Sequence, residues 1–522
     1  MHGSIDRRKR GRKVTDFLDA IVFAAFAAMT LAGALETEQA MAGDSMKTGS
    51  RDSSLLAPDA IAYFVDPTAG DDNHDGLSPQ KAWRTWGQFE KHATPGAALL
   101  LKRGCAYALP LPLVGGTAEL PIVYGAYGEG AKPILNGNLR NLSQLQAWKQ
   151  ERTGLWRTAS DMPEAANLIF NDTICGNMRY KQEDLHKPGQ WFQAATGTGP
   201  LLVCSTGNPA QAWQKIELVA SGNGITVEGK AHAHIRFTDL RIQKVGTHGI
   251  RVVSGASDIA IRGGDLALIG GAVFRFDAFS ASYGPQFVER RVRFGNAIEA
   301  WENVSDVTVE DCRISEIFDG GFCLQGYPGS VARNLTVRNN VFWNCGYDSL
   351  DVAHGICTHH VLFEHNTCVN AGEGWAMQDE PWPRYSLNIP DSVGFHLNLE
   401  SSSAWDKRCE VIARDNIFFN APKSRCMSCG PGVLSKLIEV DHNCYFQPSP
   451  ADAITQIDGK PFSAERFDDY KKLTGWDEHS IIADPGFVDA AAGDFRLKAG
   501  SPCLGLGASG NVASAPVSVP GK

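Results

Sequence analysis

The chain has 522 residues, 43% of them hydrophobic, and a formal net charge of −9 at neutral pH. That length and composition allow a large buried core, and the acidic balance argues against a nucleic acid as the partner. The chain contains 13 cysteines, an odd number, so at least one thiol stays outside any intramolecular disulfide.

The first segment, residues 1–42, is predicted to be a signal peptide. The basic stretch RRKRGRK is followed by the apolar run AIVFAAFAAMTLAGAL and by the A-x-A motif Ala40-Met41-Ala42. The apolar run is short for a membrane span. We therefore expect a secreted or periplasmic protein that begins at Gly43 and has no stable membrane span after cleavage, with a retained anchor as the alternative. Residues 43–60 are polar and are expected to be a disordered linker.

Residues 61–140 are predicted to form an N-terminal cap and the first coils of a repeat. The cap begins with YFVDPTAGDDNHDGLSPQKAWRTW, in which a strand, a polar turn and a Trp-containing helix follow one another. Within it, Asp71, Asn73 and Asp75 match the first half of a calcium-binding loop, but Ala82 stands where such a loop needs Glu. Turn capping explains these side chains better. We expect no required cofactor, with Ca2+ as the alternative.

The remaining chain divides by its periodicity. Residues 141–222 are weakly periodic and are predicted to be an irregular β-rich insertion. Residues 223–510 are predicted to form stacked β-coils with a C-terminal closing segment, and clear coils begin at Ile225. Residues 511–522 are expected to be a disordered tail.

The clearest repeat lies in residues 304–378. It consists of VSDVTVEDCRISEIFDGGFCLQG, ARNLTVRNNVFWNCGYDSLDVAHG and HHVLFEHNTCVNAGEGWAMQ, each with two short alternating runs separated by a polar turn. Aligning these units places Ile298, Phe322, Leu350 and Ala376 at one position, 24, 28 and 26 residues apart. A β-type period of this length predicts a solenoid, because one coil cannot bury its own apolar face.

Four asparagines occupy one point of the repeat. Asn340, Asn366, Asn416 and Asn443 follow polar residues in RNN, EHN, RDN and DHN. In stacked coils these side chains would superpose, and each amide could bond the next one at a tight turn. The pattern predicts an asparagine ladder rather than four unrelated turn residues.

These features resemble the right-handed parallel β-helix superfamily, which includes pectate lyases and other exported polysaccharide-cleaving proteins. The closing segment ADPGFVDAAAGDFRLKAGSPCLGLG matches that superfamily as well, and the resemblance covers roughly residues 61–135 and 225–507. It implies an all-β chain folded as a right-handed parallel β-helix, a solenoid with an N-terminal cap and long loops over one face. It also implies a polysaccharide partner. The resemblance does not identify the reaction, because proteins of one fold catalyse many different reactions.

Carboxylates recur just before the aligned strand. Asp319, Asp348 and Glu373 lie near one edge of three successive coils, and Asp351 and His354 follow in the same face. Neighbouring coils are about 4.8 Å apart. Carboxyl groups one coil apart would therefore suit a retaining glycoside hydrolase, and carboxyl groups two coils apart would suit an inverting one. These five residues are the candidate catalytic set; turn stabilisation and calcium binding are the alternatives.

Side chains should alternate between the inside and the outside of the coil along this strand. The alternation predicts that Cys323, Asp351 and Met377 face outward, beside Glu299 and Arg251 of the preceding coils.

Two interruptions of the repeat, residues 277–295 and 379–392, are predicted to be long loops that bound the groove. Aromatic side chains suit sugar rings, and arginines suit a uronate or sulfate group. The candidate substrate-binding residues in and beside these loops are Trp375, Trp382, Tyr385, Arg290, Arg291, Arg293 and His396. The predicted partner is accordingly a polysaccharide, with an anionic one as a specific option, and we expect a monomer.

Cleavage of glycosidic bonds is the activity that this pattern favours, with hydrolysis by paired carboxylates slightly ahead. Elimination by a polysaccharide lyase and binding without catalysis are the alternatives. The chain lacks the NTD, DD and GHG motifs typical of polygalacturonases, and it shows no complete lyase signature. No metal site is predicted, because the isolated Cys426-Met427-Ser428-Cys429 pair lacks a second pair.

Overall fold

The computed structural model describes residues 60–194, 198–275, 291–377, 394–400, 405, 407–422, 424–449 and 452–513. The predicted signal peptide and linker lie outside these residues, apart from Ala60, as do residues 514–522. Over the described chain the backbone winds through three long sheets in a fixed order, so that each coil adds one strand to every sheet.

Sheet 1 is parallel throughout. Its strands, in order, are Ala62–Val65, Ala98–Lys102, Ile122–Tyr127, Ile235–Thr238, Ser257–Arg262, Ser305–Glu310, Val331–Arg338, Cys357–Glu364, Glu410–Arg414 and Leu437–Asp441. Sheet 2 follows sheet 1 in each coil and is also parallel. Its strands are Ala106–Ala108, Ile134–Asn136, Arg241–Val245, Asp265–Ile269, Arg313–Ile317, Val341–Cys345, Thr367–Val369, Ile417–Phe419, Cys444–Phe446 and Ile481–Ile482.

Sheet 3 completes each coil and carries the candidate site. Its strands are Ile225–Glu228, Ile250–Val253, Ile298–Trp301, Phe322–Gln325, Asp348–Ala353, Phe395–Leu399, Met427–Cys429, Ala453–Ile457 and Lys460–Ser463, of which only the last pair is antiparallel. The inward positions are aliphatic or aromatic and fully buried, as in the row Ile298, Phe322, Leu350 and Leu397. Stacked apolar rows of this kind form the continuous core of a solenoid.

Smaller elements lie outside the stack. Two small sheets are formed by Leu139–Asn141, Ala165–Phe170, Ile174–Cys175 and Ile216–Ala220, and by Trp148–Arg152, Leu155–Thr158, Asn177–Met178, Gln190–Gln193 and Leu201–Cys204. Hairpins are formed by Ala272–Arg275 with Arg291–Phe294 and by Phe487–Asp489 with Asp494–Leu497. The α-helices are Phe89–His92, Pro209–Ala212, Phe467–Thr474 and Gly510–Ala513, and the 3-10 turns are Pro79–Lys81, Leu145–Ala147, Gln182–Asp184, Lys230–His232, Trp375–Met377, Val433–Ser435 and Ala464–Arg466. No helix within the described ranges is both long and apolar enough to span a bilayer.

The asparagine ladder predicted from the sequence is confirmed. The Nδ2 atoms of Asn340, Asn366 and Asn416 each donate to Oδ1 of the next asparagine, at 3.0, 3.1 and 3.0 Å, and all four side chains including Asn443 are fully buried. Each Nδ2 also donates to a backbone carbonyl of the coil below, which satisfies the buried amides. The residue before each asparagine has a positive φ, so the turn itself is tight and repeated.

A second polar row, which the sequence reading did not predict, follows sheet 2. Asn344 donates to Glu316 at 2.6 Å, Asn370 to Asn344 at 3.2 Å, and Asn420 to Asn370 at 2.8 Å. Asn344 is buried, and Glu316, Asn370 and Asn420 are partly buried. The row therefore supports the corner between sheets 2 and 3 from the solvent side.

Three long departures from the coil leave from this same corner. The insertion at residues 139–220, the hairpin at residues 272–294 and the segment at residues 373–394 each lie between a sheet 2 strand and the next sheet 3 strand. The insertion packs back on the stack through Ile169 and Val219, which share one apolar cluster with Phe318 and Trp375. The three segments therefore all connect to the N-terminal ends of sheet 3 strands.

The alignment of Ala376 with the aligned strand is wrong. Leu350 pairs with Leu397, because the strand of that coil is Phe395–Leu399, whereas Ala376 lies in the 3-10 turn Trp375–Met377. The second interruption thus begins before residue 379. The first interruption is an antiparallel hairpin and not a degraded coil.

One disulfide, between Cys357 and Cys409, joins neighbouring coils in sheet 1, and the other cysteines are free. Cys426 and Cys429 are among the buried thiols, where they fill the core as small hydrophobic side chains. In the N-terminal turn, Asp71 accepts hydrogen bonds from Asn73 and Asp75 accepts one from the Leu77 amide, as expected for turn capping.

Candidate functional site

The outer face of sheet 3 carries a row of polar side chains at one register position. In coil order the row contains Arg251, Glu299, Cys323, Asp351 and Asn398. Outward orientation of this row follows from the alternation along each strand, and the sequence predicted it for the first four members. The sequence placed Met377 where Asn398 lies, which is wrong, because Met377 belongs to the 3-10 turn Trp375–Met377. Two carboxylates, Glu299 and Asp351, therefore stand two strands apart on one face.

Asp351 is held by amides on both of its oxygens. Gln325 Nε2 donates to Oδ2 at 2.6 Å, and Asn398 Nδ2 donates to Oδ1 at 2.9 Å. The side chain is 1% exposed. Burial is the main cause that raises the pKa of Asp351 to about 7, and the nearby charges of Glu400 and Asp319 act in the same direction.

Glu299 has a different and drier environment. Its Oε2 accepts a hydrogen bond from Asn296 Nδ2 at 2.5 Å, and His248 Nδ1 lies 3.9 Å from the same oxygen. Burial raises the pKa of Glu299 to about 8; Asn296 and Arg251 oppose this rise, while Asp351 and Asp319 add to it. Burial also lowers the pKa of His248 to about 3, so this imidazole is neutral and accepts from the Asn296 amide.

Two more carboxyl groups lie near the start of the sheet 3 strands. Asp348 is the first residue of the strand Asp348–Ala353, and Asp319 lies just before the strand Phe322–Gln325. Both side chains are buried, and Cys323 Sγ lies 3.7 Å from Asp348 Oδ1. Gly320 makes this approach possible, because a Cβ at that position would overlap Asp348 Oδ1 and Cys323 Sγ. The Gly320 amide donates to Asn296 Oδ1 at 2.9 Å, which ties this turn to the Glu299 side of the site.

The cluster was also tested as a metal site. Cys323, Asp348 and Asp351 offer ligand atoms that all lie within 4.8 Å of one another. Burial raises the pKa of the Cys323 thiol well above its usual value, and the Asp348 and Asp351 charges raise it further. Ca2+ prefers six to eight oxygen ligands, whereas this cluster offers one sulfur and two carboxylates. The donor set therefore does not match a calcium centre.

Aromatic side chains lie at the other end of these strands. Trp301, half-buried, packs edge-on against Tyr327 with ring centroids 5.5 Å apart, and His354 lies 6.5 Å from the indole. His354 has a left-handed φ of 57°, and its backbone amide approaches Glu400 at 3.4 Å. His354 therefore belongs to the aromatic rim and not to the carboxylate cluster.

Two arginines flank the carboxylates. Arg251 is one strand before Glu299 in the outward row and is half-buried. Arg425 lies beyond Asp348 on the far side of Phe395, with its guanidinium 5.5 Å from the Phe395 ring centroid. Burial lowers the pKa of Arg425. Arg251 therefore adjoins Glu299 in the row, and Arg425 adjoins Phe395, which is the strand partner of Asp348.

The substrate-binding role expected for Arg293 and Trp375 is corrected by their burial. Arg293 is 1% exposed and donates to the carbonyls of Gly271 and Ala166, with its guanidinium 4.4 Å from the Phe318 ring. Trp375 is 4% exposed and donates to the Glu316 carbonyl. Through these contacts both side chains hold the insertion against the stack, which indicates a structural role for them.

His396 and Glu373 also lie away from the groove. His396 is fully buried, its ring stacks on Phe418, and burial lowers its pKa to about 3. Glu373 precedes Gly374, whose backbone packs against Asn344. Glu373 thus follows the second polar row rather than Asp319 and Asp348, because the segment that contains it has already left the coil.

Most of the other residues expected to bind substrate lie outside the described part of the chain. Arg290, Trp382 and Tyr385 lie outside the described residues, and for Arg291 only the backbone of the hairpin strand is described. Conversely, the groove contains residues to which the sequence reading gave no role, namely Asn296, Trp301, Gln325, Tyr327, Asn398 and Arg425. The first four could have been found from the strand register alone.

The sheets and the groove define the class of protein. The chain folds as a right-handed parallel β-helix, and residues 220–426 match the family model described as "Right handed beta helix region". No curated protein matches the chain.

Several solved structures are similar in backbone. One called "Glycoside hydrolase" is 11% identical, with 80% of this chain and 96% of that chain covered and a TM-score of 0.46. The GH136 lacto-N-biosidase from Eubacterium ramulus is 14% identical, with coverage of 81% and 67% and a TM-score of 0.39. Pectate lyase Pel9A is 11% identical, with coverage of 86% and 91% and a TM-score of 0.37.

Proposed function

We propose that this protein hydrolyses glycosidic bonds of a polysaccharide in the groove on sheet 3. The observation that carries the proposal is the pair Glu299 and Asp351, two buried carboxyl groups on one outer face whose pKa values burial raises to about 8 and about 7. Acid–base catalysis needs one protonated and one ionised group near the working pH, and such a pair supplies both.

The two environments suggest the roles. Glu299 has the higher pKa, so it holds its proton at neutral pH and acts as the general acid toward the glycosidic oxygen. Asp351 is fixed by two amide donors, which stabilise its ionised form, and it acts as the general base. The base takes a proton from water as that water attacks the anomeric carbon, while the acid protonates the departing oxygen.

The strand register suggests the stereochemical course. Glu299 and Asp351 are separated by the strand that carries Cys323, so their backbones are about two strand spacings, roughly 9.6 Å, apart. Inverting enzymes keep their carboxyl groups ~6.5–9.5 Å apart to admit a water, and retaining enzymes ~5–5.5 Å. The proposal is therefore inversion, with Trp301 and Tyr327 as the sugar-stacking rim.

The test uses a panel of neutral and anionic polysaccharides. Hydrolysis releases reducing ends without ultraviolet absorbance. On a substrate that is cleaved, Glu299→Gln and Asp351→Asn should each lower kcat by ~10²–10⁴-fold. Glu439→Gln is the matched control, because Glu439 is an exposed carboxylate on the outer face of sheet 1. Full activity in both site variants would refute the assignment.

Elimination is the second candidate, and Arg251 is the observation that favours it. A lyase needs positive charge at a uronate carboxylate, and Arg251 stands directly beside Glu299. Elimination leaves an unsaturated uronate that absorbs in the ultraviolet. Appearance of that absorbance, together with its loss in Arg251→Ala, would replace hydrolysis by elimination.

Export is part of the proposal. The basic stretch, the apolar run and the A-x-A motif at Ala40–Ala42 support secretion or release into a periplasm, where a polysaccharide would be met.

A further inference from the structure

A cluster of two histidines and one aspartate lies at the C-terminal end of the helix, away from the groove. Asp441 ends the last strand of sheet 1, His442 follows it, and His479 comes from the segment that closes the stack. One ligand atom from each lies within 4.8 Å of the others. The groove on sheet 3 uses none of these residues.

The carboxylate of Asp441 is oriented by the backbone. Its Oδ1 accepts hydrogen bonds from the amides of His442 and His479, each at 2.8 Å. Its Oδ2 faces both imidazoles, with Nδ1 of His479 at 2.7 Å and Nδ1 of His442 at 3.3 Å.

The two rings are stacked and open to solvent. Their centroids are 4.7 Å apart with an interplanar angle of 19°, and the side chains of His442 and His479 are 54% and 63% exposed. Two imidazole nitrogens and one carboxylate oxygen form a donor set that suits a borderline divalent cation such as Zn2+, whose ligands lie at ~2.0–2.2 Å. Small side-chain rotations would bring the three atoms to that distance.

We propose that Asp441, His442 and His479 bind a divalent transition-metal ion of the zinc type. The ion links the last coil to the closing segment, because Asp441 and His479 belong to these two parts. The adjoining contacts support a structural role. The backbone amide of Asn443, the last member of the ladder, donates to the Ser480 hydroxyl at 2.8 Å, and its side-chain amide donates to Asp477 at 3.5 Å. A metal ion bound here would stabilise the last residue of the asparagine ladder in its position.

The test is titration of the tag-free full-length protein with Zn2+, and with Co2+ as a spectroscopic probe, after removal of bound metal by a chelator. We expect one saturable site, a rise in Tm with Zn2+, and a Co2+ spectrum without thiolate charge-transfer bands. The last readout separates this site from the buried cysteines.

The variants are His479→Ala and His442→Asn, since Asn tolerates the left-handed φ of 56° at residue 442. Each should lower metal affinity by at least about tenfold and abolish the Tm rise. His365→Asn is the matched control: His365 also follows a sheet 1 strand, has a left-handed φ of 52° and faces a single aspartate, Asp415, at 3.9 Å. It should bind as the wild type does. The proposal is overturned if the wild type shows no saturable binding, or if both site variants bind the metal as tightly as the wild type does.

Discussion

The carboxylate of Asp348 occupies the space that a side chain at position 320 would fill. The same space is shared by the thiol of Cys323, and the turn around Gly320 is anchored to Asn296, the partner of Glu299. A glycine in one coil thus sets the position of an acid in the next coil. The acidic groups of the groove are coupled through this contact.

Gly320→Ala should therefore displace Asp348 and Cys323 and lower activity strongly. Overpacking of a buried site costs ~1–3 kcal/mol, so the protein should still fold but with a lower free energy of unfolding. Urea denaturation and the polysaccharide assay measure the two effects. Gly207→Ala is the control, because nothing lies within 4 Å of a Cβ at that position. Unchanged activity in Gly320→Ala would show that this packing does not matter to the site.

The pH profile of kcat/KM should be bell-shaped with a maximum between about 7 and 8. Asp351 must be ionised to act as base, so activity should fall as the pH drops below its pKa of about 7. Glu299 must be protonated to act as acid, so activity should fall as the pH rises above about 8. A flat profile from pH 5 to pH 9 on a cleaved substrate would contradict these roles.

Stability should depend on pH through the same acid. The folded-state pKa of Glu299 is raised from 4.5 to about 8, so the native state binds the proton more tightly than the unfolded chain does. Its contribution to stability is fully present below about pH 4.5 and is lost as the pH rises toward 8. Glu299→Gln should abolish this loss.

The measurement is the free energy of unfolding at pH 5 and pH 8.5. The decrease between these two values should be smaller in Glu299→Gln than in the wild type, whereas Glu439→Gln should behave as the wild type does. An identical decrease in all three proteins would mean that Glu299 ionises normally. Loss of activity together with a gain in stability at pH 8.5 is the combined signature of a buried catalytic acid.

Replacement of an asparagine by alanine should lower the free energy of unfolding more in the asparagine ladder than in the second polar row. Asn366→Ala removes bonds to Asn340, Asn416 and the Val337 carbonyl and leaves buried partners unsatisfied, at ~1–3 kcal/mol for each such group. Asn370→Ala affects a part-buried row where water can replace the amide, so its cost should be nearer ~1 kcal/mol. Urea denaturation of both variants tests the ranking, and equal costs would contradict it.

The coil and the ladder could be predicted because they repeat. Stacking forces Asn340, Asn366, Asn416 and Asn443 into one row once the period is known, and no distant contact can shift it. The alignment failed at Ala376, where the chain leaves the coil early. Periodicity cannot reveal such a departure, since a short turn with similar composition continues the pattern for a few residues.

The sequence predicted the neighbourhood of the acids but not their roles. The strand register gives the outward places of Asp351 and Glu299, but the sequence assigned no catalytic role to Glu299 and grouped Glu373 with the acids, whereas Glu373 lies with the second polar row. Arg293 and Trp375 misled the prediction because burial under an insertion depends on contacts between distant segments, such as Arg293 with the Ala166 carbonyl. A sequence read for local pattern contains no signal for that contact.

The departure of three long segments from one corner has a consequence for how such a protein can change. The connections between sheets 1 and 2 are two residues long from Thr238 to Cys444, and the strand pairing of all three sheets continues on both sides of each departure. Doubling a flexible loop adds only ~0.6 kcal/mol of closure entropy. Segments 276–290 and 378–393 could therefore be exchanged or lengthened, which would give new ligand preferences over an unaltered frame.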